Sequence, residues 1–190
     1  MAKNQIQNER MLRYFLDSTK NIIQSEGIEA LSVRSIADKA GYSYATIYNY
    51  YKDVKELTFM SACEFIDECK LFVLDFEYNT SDQKESIKMK AKKLSNYYIQ
   101  YIGIYHLLYL TNSYNVGNIE ALKNKLEEMH NSIFKNEFDN LFAERSNIYL
   151  NNLINLITGA LLLYINRMTP NSYKDYLINL EKHIDILLKN

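Results

Sequence analysis

The stretch VRSIADKAGYSYATIYNYY, residues 33–51, decides how the rest of the chain is read. Val33, Ile36 and Ala37 fall at helical spacing. Ser32 stands before them, where its side-chain oxygen can accept a free amide of the first turn, and Gly41 stops the run. Ser43 repeats the cap signal ahead of a second short helix, from about Tyr44 to Tyr50. Two short helices around one glycine read as a helix-turn-helix. In such a unit the first helix crosses a phosphate backbone, and the second is held by its apolar side while its other side enters a major groove. Ile36, Ala37, Ala40 and Ile47 supply the internal contacts, and Ala37 has to be small where the helices cross. On pattern alone, an ordinary αα-corner fits equally well. Five tyrosines crowd the second half, at 42, 44, 48, 50 and 51; each ring favours burial while each hydroxyl needs a partner.

Outward from this stretch the periodicity stays helical. Met11, Leu12, Phe15, Leu16, Ile22 and Ile23 predict an amphipathic helix of about 18 residues closed by Gly27. Asp53 caps a helix that runs on through Phe76. Residues 78–86 form a polar connection. Ile87, Ala91, Leu94, Tyr98 and Tyr101 mark the next helix, which Gly103 breaks or kinks. A short segment follows, then a turn at 115–118. Leu122 to Phe142 and Ile148 to Met168 are two more helices. Pro170 forces a break, and Tyr173, Tyr176, Leu177, Leu180, Ile184 and Leu187 stripe the last helix. The expectation is an all-α chain of about nine helices, with no β alternation and no internal repeat.

Composition narrows the function class. The 190 residues carry a net charge of −1, and residues 1–60 are net +1, so charge alone signals no nucleic-acid partner. One proline and five glycines leave few helix breakers. Cys63 and Cys69 match no zinc spacing and read as free thiols in a reducing cytoplasm. His106, His130 and His183 show no clustered metal spacing. The N-terminus is too polar for a signal peptide, and the apolar run Leu156–Ile165 is short of the roughly 18 residues of a membrane span. No glycine-rich phosphate loop, HExxH or serine elbow occurs. The chain therefore reads as a cytoplasmic non-enzyme without membrane attachment or cofactor. A helical adaptor without DNA binding remains the alternative.

The longer run FLDSTKNIIQSEGIEALSVRSIADKAGYSYATIYNYYKDVKEL, residues 15–57, resembles the DNA-binding domain of the TetR family of transcriptional regulators. The shared features are a first helix ending in an EG turn, a hydroxyl residue before VRSIADKAG, Ser43, the TIY of the recognition helix, an aromatic pair and a charged lead to Leu57. Three positions depart from the pattern. Ala45 stands where glycine is frequent, Val54 where lysine is frequent, and Tyr42 where valine or isoleucine is usual.

The resemblance implies a helix-turn-helix domain at residues 1–53 and a helical ligand-binding and dimerisation domain at 54–190. It implies a dimer reading a roughly palindromic operator in double-stranded DNA, with repression as the family default and release by a small molecule. Carried residue by residue, it places Ser32 and Arg34 near phosphate, and Ser43, Tyr44, Ala45, Thr46, Tyr48 and Asn49 on or near the recognition surface. Ala45 or the Thr46 methyl suits a thymine methyl, and Asn49 suits adenine. Tyr48 and Tyr50 are expected to offer hydroxyls to phosphate, which positions rather than specifies. Lys52 and Lys55 add charge neutralisation. Tyr51 is expected to pack inward four residues after Ile47, and Tyr42 is left open.

The dimer is expected through residues 148–168 and 172–188. The densest candidate for an effector pocket is Tyr97, Tyr98, Tyr101, Tyr105, His106, Tyr109 and Asn112, with Tyr114 beyond. Such rings suit a planar, amphipathic or cationic molecule, and at helical spacing they serve equally as core.

Overall fold

A computed structural model describes residues 2–112 and 116–189, and it is all-α, with no strand among the described residues. The helices are α1 (Ala2–Ser25), α2 (Val33–Ala40), α3 (Tyr44–Ile47), α4 (Val54–Leu74), α5 (Gln83–Gln100), α6 (Ile102–Tyr105), α7 (Ile119–Phe142), α8 (Ser146–Ile165) and α9 (Tyr173–Leu187). A π-helical turn, His106–Leu110, continues α6. Short 3₁₀ turns precede α2 and α8. Tyr114 and Asn115 lie outside the described residues.

The chain divides into two compact units, Met1–Phe65 with Tyr101–Lys125, and Ile66–Gln100 with Leu126–Asn190. The first is built around Phe15, Ile22, Ile36, Ala37, Ile47, Tyr51 and Leu57, all buried in one cluster. α1 runs 24 residues, longer than its apolar pattern, because the exposed Gln, Glu and Arg ahead of Met11 are themselves good helix formers. α1 packs against α2, α2 against α3, and α6 against α1.

That last contact explains Gly103. The expected break falls instead at Tyr101, whose φ of −124° and ψ of 67° interrupt the helix. Gly103 lies inside α6, where an added Cβ would stand 2.0 Å from the Ile23 carbonyl oxygen. The glycine is there for a backbone-to-backbone approach, not for a bend.

α4 is tied to α1 by charge. Arg13 and Lys20 donate to the two carboxylate oxygens of Glu64, at 2.6 and 2.8 Å. Partial burial alone would raise the Glu64 carboxyl, but the hydrogen bonds from Lys20 and Arg13 outweigh it and hold the group below its usual value. The Lys20 ammonium also sits 5.1 Å from the Phe65 ring centre.

In the second unit α5, α8 and α9 pack on one another. Leu94, Leu153, Ile157, Leu161, Leu180 and Ile184 are buried there. The buried Tyr176 hydroxyl reaches the Ser95 hydroxyl at 2.9 Å. α8 stops before Pro170 is reached: Arg167 turns left-handed at φ 54°, and the Met168 amide donates back to the Leu163 carbonyl at 3.0 Å. This is the helix-closing pattern in which orphan carbonyls are capped by the turn itself. Pro170 therefore follows the stop and does not cause it.

One stretch within residues 119–165 is long and apolar enough, by length and composition, to cross a membrane, and 22% of it is buried. The apolar run is thus longer than Leu156–Ile165, because uncharged asparagines let it reach back along α8. Ile148, Leu162 and Leu163 on α8 and Ile178 and Ile186 on α9 are exposed.

Candidate nucleic-acid interface

The entry to α2 is fixed by a reciprocal cap. The Ser32 hydroxyl accepts from the Ser35 amide at 3.0 Å, and the Ser35 hydroxyl accepts from the Ser32 amide at 2.9 Å. α2 then buries Ile36 and Ala37 and ends at Gly41, whose φ of 77° is open to glycine at little cost. The Tyr42 amide donates to the Ala37 carbonyl across this end, at 3.0 Å.

Ser43 does not cap α3 with its side chain. Its backbone is extended as a cap requires, but its hydroxyl pairs with the Thr46 hydroxyl at 2.9 Å, and the Thr46 amide goes to the Ser43 carbonyl. Regular α-helix covers only Tyr44–Ile47, and residues 48–50 continue as turns. The amides of both Tyr50 and Tyr51 bond the Ile47 carbonyl, at 2.9 Å each, which tightens the end and rotates Tyr51 inward.

The expected division of the tyrosines holds for three and changes for one. Tyr51 is 3% exposed and its hydroxyl donates to the Leu12 carbonyl at 2.7 Å. Burial pushes that phenol up to about 12, and the negative charge of Glu56 adds to the shift. Tyr44 and Tyr48 stand out, at 61% and 54% exposure. Tyr50 was expected outside and is half-buried, its ring 5.8 Å from that of Phe15. Three residues after Ile47 it still lies beside the core, and the turn there brings it onto the same ring. Tyr42, left open by sequence, rests edge-on against the other approach to Phe15 at 5.7 Å while staying partly exposed.

Around the exposed pair, Ala45 and Asn49 are exposed and Thr46 is half-buried. Ser32 and Arg34 are exposed at the start of α2. Lys52 is exposed and Lys55 half-buried, either side of a second reciprocal cap: the Glu56 amide donates to Asp53 at 2.9 Å and the Lys52 amide to Glu56 at 2.7 Å. This face combines hydroxyls, an amide side chain, a methyl and cations on a short buried seam. Such groups can meet phosphate oxygens and base edges.

The tyrosine-rich segment does not fall into one compact unit. Tyr97 and Tyr98 belong to the second, Tyr101 to Asn112 to the first. Tyr97, Tyr98 and Tyr105 are buried; Tyr101, His106 and Tyr109 are half-buried and Asn112 is exposed. The Tyr97 ring packs 5.4 Å from Phe72 and 5.7 Å from Tyr98. The Tyr105 and Tyr109 rings lie 5.5 Å apart. His106 has a buried Nε2 with no hydrogen-bond partner. Between α8 and α9 a groove of about 380 Å³ is lined by Leu156, Gly159, Leu163, Pro170 and Leu180 among others. Among the described residues no group of three or more His, Cys, Asp or Glu could hold a metal ion.

Residues 15–58 match the sequence profile of bacterial regulatory proteins of the tetR family. An HTH-type transcriptional regulator of Staphylococcus aureus strain bovine RF122 / ET3-1 is 22% identical over 192 residues, covering 95% of each chain. A second, from Staphylococcus aureus strain USA300, is 22% identical over 171 residues, 84% of this chain and 85% of its own. The fold is similar to that of a possible TetR family transcriptional regulator from Streptomyces coelicolor A3(2), with a TM-score of 0.68 at 12% identity over 93% of this chain and 96% of that one. It is also similar to a TetR family transcription regulator from Marinobacter aquaeolei VT8, at 0.65 and 17% over 97% of both.

Proposed function

We propose that this chain, which belongs to the TetR family of helix-turn-helix transcriptional regulators, binds a roughly palindromic operator as a dimer and is released from it by a small-molecule inducer. The family is one of DNA-binding regulators, not enzymes. Residues 1–53 serve as the DNA-binding domain and residues 54–190 as the regulatory domain, in the cytoplasm.

The observation that carries the reading is the two-sidedness of α3. Ile47 is fully buried and Tyr51 nearly so, while Tyr44, Ala45, Tyr48 and Asn49 are exposed. In this reading Tyr44, Ala45, Thr46, Tyr48 and Asn49 enter the major groove, and Ser32, Arg34, Ser43, Lys52 and Lys55 meet the flanking phosphates. Tyr50 contributes by bracing the end of the helix on Phe15.

The exposed apolar residues of α8 and α9, and the groove between them, support the dimer: a second copy of the same two helices would cover both. The same composition that would suit a membrane suits a four-helix contact. For the inducer, the half-buried Tyr101, His106 and Tyr109 are the candidates, whereas the buried Tyr97, Tyr98 and Tyr105 are assigned to the core.

A gel shift with the DNA upstream of the chain's own coding sequence tests this. The expected result is saturable binding at two chains per site, with log affinity falling linearly with log salt by about 0.9 per phosphate contact. Absence of saturable binding to any genomic fragment would favour the helical adaptor.

A further inference from the structure

α3 is too short to fix its own direction. Its regular part is the four residues Tyr44–Ile47. Forming one helical turn fixes several dihedral angles for a single hydrogen bond, so a lone turn holds only when its surroundings hold it. The Ser43 side chain, which could cap the turn, bonds the Thr46 hydroxyl instead. Ile47 anchors the inner side at 0% exposure, and one anchor leaves a short rod able to tilt about it.

The C-terminal end is held by two residues. Tyr51 bonds the Leu12 carbonyl through its hydroxyl, and the Tyr50 ring lies 5.8 Å from Phe15. The N-terminal end follows the left-handed Gly41. There Tyr42 takes the corresponding part. Its amide is tied back to the Ala37 carbonyl at 3.0 Å. Its ring meets Phe15 edge-on, 5.7 Å between centres and 63° between planes, a favoured geometry for two aromatic quadrupoles. Phe15 is itself 0% exposed on α1. Rings from before and after α3 thus rest on one buried ring. The Tyr42 side chain is otherwise 40% exposed, so its contact to the core is made through the ring.

We infer that Tyr42 is a positioning residue for operator recognition: its ring, seated on Phe15, fixes the N-terminal end of α3 and so sets how Tyr44, Ala45 and Thr46 are presented to base edges. This rests on the operator-binding reading of α3. Phosphate contacts depend mainly on charge, whereas base contacts need hydrogen-bond geometry and close apolar fit. Loss of the ring therefore acts on specificity before it acts on total affinity. The Tyr42 hydroxyl has no part in this role.

The test compares Tyr42→Leu and Tyr42→Phe with the unchanged full chain, well below their melting temperatures. The probes are the upstream duplex bound in the gel shift and a scrambled duplex of the same length and composition. Tyr42→Leu is expected to lower the ratio of the two affinities about three- to tenfold, the size of one lost aromatic pair, with affinity for the scrambled duplex unchanged. Tyr42→Phe keeps the original ratio. A ring that served the fold alone would act differently: a smaller folded fraction weakens binding to both duplexes by one factor and leaves the ratio as it was. An unchanged ratio in Tyr42→Leu overturns the inference. So does a lowered ratio in Tyr42→Phe, which would make the hydroxyl a DNA contact. Amide exchange in the free chain gives a second readout without DNA. The Thr46 and Asn49 amides, bonded to the Ser43 and Thr46 carbonyls, should exchange about three- to tenfold faster in Tyr42→Leu alone, with the Ile36 amide of α2 unaffected. Equal rates overturn the brace whether or not a duplex is found. Faster exchange in a chain that binds no duplex sinks the operator reading and leaves the brace standing.

Discussion

The Tyr51 hydroxyl donates to the backbone carbonyl of Leu12 at 2.7 Å, joining the turn after α3 to the middle of α1 across 39 residues of sequence. The ring fills the core and the hydroxyl sets its depth. Tyr51→Phe is expected to cost about 1 kcal/mol, the worth of one buried hydrogen bond. Tyr51→Ala is expected to cost about 3–5 kcal/mol through the cavity it leaves. Urea unfolding monitored by circular dichroism measures both. A Phe variant as unstable as the Ala variant would place the hydrogen bond, not the ring, at the centre of the seam.

Tyr48 and Tyr50 are expected to separate two roles that sequence placed together. Tyr48→Ala removes an exposed ring and should change stability by less than about 0.5 kcal/mol, while weakening operator binding roughly tenfold through a lost contact worth about 1.4 kcal/mol. Tyr50→Ala removes a half-buried ring and should lower the melting temperature first, with operator binding falling as a consequence. Melting curves and gel shifts on the two variants decide the matter. A Tyr48 variant with intact affinity would remove that residue from the interface.

His130 gives the chain an acid-sensitive stability. Burial lowers its pKa from 6.5 to about 4. Above pH 6.5 the imidazole is neutral in folded and unfolded chains alike, and it contributes no pH dependence. As pH falls below 6.5 the unfolded chain takes up a proton that the folded chain refuses until about pH 4, so stability is lost across that window. Between pH 6.5 and about 5 the loss should reach about 2 kcal/mol, at 1.36 kcal/mol per unit. Glu64 is also held below its usual value, but its effect belongs to the carboxylate range at lower pH. His130→Leu should flatten the slope of unfolding free energy against pH above about 5, whatever it does to absolute stability. An unchanged slope would show that another group titrates there.

Two glycines in helices are expected to respond oppositely to alanine. At Gly103 the new Cβ meets the Ile23 carbonyl, which cannot move without shifting α1; overpacking of this kind costs about 1–3 kcal/mol or more. At Gly159 nothing lies within 4 Å, and alanine should stabilise α8 by up to about 1 kcal/mol in the isolated chain. Thermal melts compare the two. If Gly159→Ala stabilises the fold yet shifts sedimentation toward monomer, a second copy packs against that face.

Local signals were legible in sequence where they act within a turn. Ser32 with Ser35 and Asp53 with Glu56 are caps readable at a spacing of three, and the αL glycine at 41 follows from the helix stop before it. The inward turn of Tyr51 followed from its spacing to Ile47. What sequence could not supply depends on partners far along the chain. Gly103 resembles a helix breaker until Ile23 is found opposite it. The charge pairing of Arg13 and Lys20 with Glu64 spans 51 and 44 residues, and Glu137 meets Ser86 across 51. Tyr50 differs from Tyr48 only in what Phe15 does beside it. The tyrosines from 97 to 112 were grouped because they are neighbours in sequence, yet an interruption at Tyr101 assigns them to different units.

The brevity of α3 has an evolutionary and practical consequence. Four regular residues and one tight turn are anchored by two buried side chains, Ile47 and Tyr51, while positions 44, 45, 48 and 49 are exposed. If these positions meet DNA as proposed, drift at the four can explore new target sequences without passing through unfolded intermediates. A library randomised there, with 47 and 51 held fixed, would sample binding preference on a constant scaffold.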